Sequence, residues 1–143
     1  MEKVMKKIKV KLDPGAWMPE RAHGLDAGYD LRTPVNVQIA PRRSVTIDTG
    51  VHIQIPEGYV GFLKSKSGLN VRHNIHGEGV IDAGYTGSIV VKLDNEGLIP
   101  YNMVAGNKII QLVILPIITP ELEEVDSFPK TERGDKGFGS SGK

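Results

Sequence analysis

Asp82 and Tyr85 stand in a run of small and β-branched residues, Gly79-Val80-Ile81-Asp82-Ala83-Gly84-Tyr85-Thr86-Gly87. Apolar residues lead up to Ala83-Gly84 and resume in Ser88-Ile89-Val90-Val91-Lys92-Leu93, so the stretch predicts a tight β-hairpin with an acid and an aromatic at its tip. Such a tip exposes backbone N–H and C=O groups that can hold a small flat polar ring, leaving the carboxylate and the aromatic face for whatever the ring carries. Taken alone, the tip fits an ordinary surface turn with a turn-forming Asp equally well. A second cluster, Lys64-Ser65-Lys66-Ser67-Gly68, sets cations beside hydroxyls. That pattern suits phosphate oxygens, and equally a Ser/Lys nucleophile pair. A third, near the C-terminus, puts Arg133, Phe138, Ser140 and Ser141 among glycines.

Together the three suit a nucleotide. The base would sit in the hairpin, the phosphates on Lys66, Ser67 and Arg133, and Phe138 would stack as a lid. One carboxylate near a chain of phosphates suggests general-base activation of water.

The elements that must position these groups are short strands. Lys7–Leu12, Val35–Ile39, Ser44–Asp48, Val51–Ile55 and Tyr59–Leu63 carry apolar residues at a period of two or in short runs, and Gly or Pro breaks most of them apart. Lys108–Leu115 is nearly all apolar, as in a strand covered on both faces, with Gln111 as an anomaly inside it. Asp26-Ala27-Gly28-Tyr29-Asp30-Leu31 reads as a second small-residue turn carrying an acid, and a brief helix fits near Gly68 to Asn74. The whole predicts an all-β, jelly-roll-like barrel or sandwich over residues 1–128. Residues 129–143 form a mobile arm that cannot bury itself.

Composition narrows the function. With 143 residues, one domain is the default. A net charge of +1 argues against a nucleic-acid binder built on a broad basic face. The absence of cysteine excludes disulfides, thiolate catalysis and Cys-ligated metals, and is compatible with a reducing cytoplasm. No export signal is read at the N-terminus, and no apolar run approaches the roughly 18 residues of a membrane span. The four histidines form no metal-ligand pattern, so no residue is assigned as a metal ligand. Gly137-x-Gly139-x-x-Gly142 matches a dinucleotide fingerprint, but no helix follows to receive the phosphates.

Five segments, in order, resemble the motifs of the homotrimeric dUTP diphosphatases (dUTPases). They are Ala27–Leu31, Lys66–Leu69, Gly79–Gly87, Gly106–Leu112 and Arg133–Gly142. The resemblance implies a jelly-roll subunit, a homotrimer with shared sites, and hydrolysis of dUTP to dUMP and diphosphate. Mg2+ would be held mainly by the triphosphate and water. By this similarity Asp82 orients the attacking water and meets the sugar 3′-OH, Tyr85 packs under the deoxyribose, and the backbone of Gly79, Val80 and Ile81 reads uracil. Lys66, Ser67, Gly68 and Gln111 line the phosphates, with Asp30 in support. Arg133, Phe138, Gly139, Ser140 and Ser141 close over a neighbouring subunit's site. Lys66 stands where the family usually has Arg, a point charge without a bidentate fork. Two alternatives remain: a dCTP deaminase, which needs a Glu where this chain has Thr86, and a catalytically weak nucleotide-binding regulator of the same fold.

Overall fold

The computed structural model describes residues 7–139 and 142, and among them the chain forms ten strands and one short helix. In order these are β1 (Val10–Leu12), β2 (Gly28–Arg32), β3 (Val37–Ile39), β4 (Ser44–Ile53), β5 (Tyr59–Lys64), α1 (Ser67–His73), β6 (Ile75–His76), β7 (Gly79–Ile81), β8 (Ser88–Asn95), β9 (Tyr101–Met103) and β10 (Lys108–Pro116). The strands pair antiparallel in two four-stranded sheets, β1-β4-β8-β6 and β2-β10-β5-β7, with β3 and β9 as a separate ribbon. The expected all-β, jelly-roll-like class is the one found.

Binary patterning places the core. In β8, Ile89, Val91 and Leu93 are buried while Val90 and Lys92 face outward. They belong to one cluster with Leu63, Ile110 and Leu112 of the second sheet. Each such side chain stabilises the fold by roughly 1.5–3 kcal/mol. No helix among the described residues is long and apolar enough to cross a membrane.

The stretch around Asp82 is not the hairpin that its sequence predicts. β7 pairs with β5, whereas β8 pairs with β4 and β6, so residues 82–87 carry the chain from one sheet to the other. Alternation names the buried face of a strand and leaves its neighbour open. The turn itself is present: the Tyr85 N–H donates to the Asp82 carbonyl at 3.2 Å, and Gly84 has the positive φ of 89° that a type II turn requires at its third residue.

Other boundaries move for local reasons. Ser44–Asp48 and Val51–Ile55, read as two strands, are largely one. Asp48 pairs with Val90 and His52 with Ser88, so the extra residues, buried at Thr49, Gly50 and Val51, form a bulge instead of ending the strand. The Thr49 hydroxyl, buried in that bulge, donates to the Ile89 carbonyl at 2.6 Å and accepts from the Val51 N–H at 3.2 Å. The predicted turn at Asp26–Leu31 is mostly β2. β6 and β9 have two and three residues, too few to show a period. The far end of β10 is not covered on both faces: Ile114 is half-buried and Leu115 exposed. The brief helix is found as α1, closed by Asn74 in the left-handed region at φ 55°.

The Thr49 bulge joins β4 to the start of β8 just beyond the tip. Thr49→Val should therefore lower unfolding free energy by about 1–3 kcal/mol through the loss of its buried hydrogen bonds. Urea denaturation measures the difference.

Candidate active site

Residues 82–87 shape a cavity of about 240 Å³ lined by Val80, Ile81, Asp82, Tyr85, Ser88 and Val90. Its apolar walls stay open to solvent, with Val80 59%, Tyr85 46% and Val90 48% exposed. The Tyr85 hydroxyl donates to the Ser88 carbonyl at 2.8 Å, which folds the ring back over the turn. A Cβ at position 87 would lie 2.5 Å from that hydroxyl oxygen, so only glycine lets the ring lie there. The Ser88 hydroxyl in turn donates to the Asp48 carboxylate and moors the start of β8. Among the described residues none donates a hydrogen bond to the Asp82 carboxylate, which stands exposed at the cavity with its acceptor capacity unspent.

A second cluster forms around Asp30. Its side chain is 6% exposed, in a strand flanked by β10, and it takes the ammonium groups of Lys66 and Lys108, the latter at 3.2 Å. Burial pushes the Asp30 carboxyl up, but the hydrogen bonds and charges of the two lysines outweigh burial and hold it below the ordinary carboxylate range. Gln111, the polar anomaly of β10, donates from Nε2 to the Ser65 carbonyl at 2.9 Å and so ties the end of β5 to the central strand. Gly28 explains itself here: a Cβ on it would fall 2.1 Å from Gln111 Oε1. The Ser65 hydroxyl donates to the Gly77 carbonyl at 3.1 Å and accepts from the Gly77 N–H at 3.0 Å. Its proton therefore goes to a backbone carbonyl and not to a neighbouring lysine that could act as its base. Ser67 and Gly68 open α1 and are exposed, with no side-chain cap.

Lys108 went unrecognised in the sequence. Lys108 and Gln111 are three apart and belong on opposite faces of a regular strand. The register of β10 against β2 shifts between Lys108 and Ile110, so both polar residues reach the Asp30 side. The consecutive buried Ile109 and Ile110 are the only sequence trace of that bulge.

The two clusters lie at opposite ends of one ladder. β5 and β7 are antiparallel, with Leu63 opposite Gly79 and Gly61 opposite Ile81. Asp82 therefore leaves β7 beside the beginning of β5, while Ser65 and Lys66 follow its end, more than about 10 Å further along the strand. No hydrogen bond, ion pair or common cavity joins the clusters among the described residues. Among the described residues the arm meets neither: Arg133 Nε donates to the Lys136 carbonyl at 2.6 Å, and Phe138 is fully exposed. Ser140 and Ser141 lie outside the described residues.

The model of the dUTPase family matches residues 15–142. The chain belongs to the dUTPase family. It is 41% identical over 129 residues to the deoxyuridine 5′-triphosphate nucleotidohydrolase of Cutibacterium acnes, covering 87% of this chain and 85% of that protein. It is 42% identical over 137 residues to the Arabidopsis thaliana enzyme of the same name, covering 95% and 82%. Among solved structures it resembles the dUTPase of Staphylococcus bacteriophage 80alpha with dUpNHpp, at a TM-score of 0.91 and 38% identity over 96% of this chain and 99% of that one. An Asp-to-Asn mutant of the dUTPase from phage phi11 of S. aureus, described with a structural Mg(II) ion, matches at a TM-score of 0.82 and 34% identity over 87% and 100%.

As a dUTPase the chain has little to offer a metal ion by itself. Among the described residues no three His, Asp or Glu side chains converge, His76 is taken by Glu96 at 2.6 Å, and buried Asp30 is already paired twice.

Because the Asp30 pKa is lowered in the folded state, its contribution to stability is present above the pKa of the unfolded chain and is lost as pH falls through the folded value. Asp30→Asn should cost about 1.5–3 kcal/mol at neutral pH by unpairing two lysines. The gap to the parent chain should close on acidification, as chemical denaturation at several pH values would record.

Proposed function

We propose that this chain hydrolyses dUTP to dUMP and diphosphate through attack of water on the α-phosphorus, limiting uracil in DNA and supplying dUMP for dTTP synthesis in the cytoplasm. The observation that carries the reading is the tip cavity, where one uncommitted carboxylate stands beside a tyrosine platform and the backbone of Val80 and Ile81. Asp82 orients the water, accepts its proton and meets the 3′-OH. Tyr85 packs under the deoxyribose, and the backbone of Gly79, Val80 and Ile81 receives uracil, leaving no room for a thymine methyl.

Lys66, Ser67, Gly68 and Gln111 line the phosphates, and Asp30 fixes the Lys66 ammonium as a point charge in their path. Magnesium, when bound, would be held mainly by the triphosphate and water and would supply charge neutralisation at the phosphates. Arg133 and Phe138, with Gly139, Ser140 and Ser141, close over the bound nucleotide and exclude water. Residues 1–128 are the barrel and 129–143 the arm.

The assembly is a homotrimer in which each site draws on several chains. Three features of the single chain support this. The tip and the phosphate cluster sit at opposite ends of the β5/β7 ladder. Leu115 at the end of β10 is exposed, and beyond it Ile118, Leu122 and Phe128 are at least 86% exposed. Apolar side chains in such a row call for a covering partner. Deamination of dCTP is disfavoured because Thr86 offers no carboxylate where that chemistry needs an acid/base.

Diphosphate release measured with dUTP, UTP, dTTP and dCTP in the presence of magnesium tests the reading. Turnover of dUTP alone is the expected result, and a chain that binds dUTP without turnover is a regulator instead. Asp82→Asn should keep most of the affinity for dUTP while kcat falls by about a hundred- to ten-thousand-fold. An unchanged kcat removes Asp82 from the general-base role.

A further inference from the structure

Behind the tip stands a histidine that dUTP chemistry does not call upon. His52, on β4, points one ring nitrogen at the tip and the other away from it: Nδ1 lies 2.7 Å from the Thr86 carbonyl oxygen, and Nε2 lies 3.0 Å from both carboxylate oxygens of Asp13. Its side chain is 19% exposed. A backbone carbonyl and an ionised carboxylate can only accept hydrogen bonds, and a neutral imidazole has a single N–H to give. Both contacts are therefore satisfied only when the ring carries two protons. The neutral ring keeps one bond and turns a nitrogen lone pair toward an oxygen lone pair at the other.

The groups around the ring agree with that geometry. On the strand paired with β4, Lys11 lies opposite His52 and its charge opposes a second proton, while Asp13, just past the end of β1, favours it. On β4 itself Asp48 adds a nearby negative charge, and across the ladder Ser88 is neutral. The Thr86 carbonyl first, and then the Asp13 carboxylate, raise the His52 pKa above the ordinary imidazole value against burial and Lys11.

Thr86 sits between Tyr85, the sugar platform, and Gly87, against which the Tyr85 ring folds. The tip is moored at three points: the Tyr85 hydroxyl on the Ser88 carbonyl, the Ser88 hydroxyl on Asp48, and the Thr86 carbonyl on His52. Of the three, the His52 contact is the one whose donor titrates near neutral pH.

We propose that His52 is a positioning residue for the tip: as an imidazolium it joins Asp13 to the Thr86 carbonyl and holds Tyr85 where the sugar packs, so nucleotide binding weakens once the second proton leaves. The step deepens the dUTP reading and rests on it for its kinetic part. A raised pKa means that the clamp is whole below the folded-state value and is lost as pH rises through it. KM for dUTP should then rise by about two- to tenfold across that midpoint, the size of one hydrogen bond, while kcat follows a different profile.

The test uses the full chain with magnesium. Imidazole resonances of His52 are followed against pH by NMR, assigned with His52→Gln, together with the Gly87 amide. Steady-state kinetics are run on the parent, His52→Gln and Asp13→Asn proteins over the same range. The clamp predicts a His52 midpoint above the usual imidazole value, a Gly87 amide that moves with it, and a parent KM that rises at the same pH. His52→Gln should lose that inflection, and Asp13→Asn should shift it to lower pH. Ionisations of the substrate are common to all three proteins and cancel in the ratios. A His52 midpoint at or below the usual value, a Gly87 amide that ignores it, or a KM ratio of parent to His52→Gln that is flat with pH overturns the proposal. If dUTP is not hydrolysed at all, the functional reading fails, and the two NMR midpoints still decide whether the clamp exists.

Discussion

The antiparallel register of β5 against β7 governs what one chain can and cannot do. Pairing Gly61 with Ile81 and Leu63 with Gly79 sends the tip out at one end of the ladder and the Ser65–Lys66 turn out at the other. Both strands feed the same core through Leu63 and Ile81, so the register cannot slip by one residue without turning buried side chains to solvent. Packing thereby fixes a separation between Asp82 and the cluster around Asp30. If both halves serve one site, as proposed, that site needs a second chain.

Each half is stiffened by the means its surroundings allow. Around Asp30 the means are electrostatic: a buried carboxylate is tolerated because two lysines share it. Lys66 is thus held on a short tether, and Gln111 holds the backbone beside it. At the tip the means are steric and hydrogen-bonded, with Tyr85 folded over Gly87 and anchored on the Ser88 carbonyl. Among the described residues no donor bonds the acid that would meet water, an arrangement suited to taking a proton once a substrate has excluded solvent.

Much of this was legible in the sequence. The apolar, β-branched run Ser88–Leu93 marked β8 as a strand, and the pairing of Asp82 with Tyr85 across two small residues marked the tip. Partners were not legible. Residues 79–93 read as a hairpin because periodicity carries no information about which strand lies alongside, and the crossing between sheets is decided by tertiary packing. Gly28 and Asp30 looked like turn chemistry because the glycine answers to Gln111, more than eighty positions away in the chain and in contact only after folding. Lys108 escaped for a related reason: a bulge changes which residues share a face, and its marker of two adjacent buried isoleucines is indistinct in a strand that is otherwise nearly all apolar.

The claim that one chain holds two separated halves of a site is tested most directly by mixing. Asp82→Asn and Lys66→Gln proteins, each inactive alone, are unfolded together, refolded and assayed for diphosphate release from dUTP, with mass spectrometry to verify mixed oligomers. Recovery of activity in the mixture is predicted, because some sites then combine an intact Asp82 from one chain with an intact Lys66 from another. Verified mixed oligomers that stay inactive would contradict the account and put both groups of every site on the same chain.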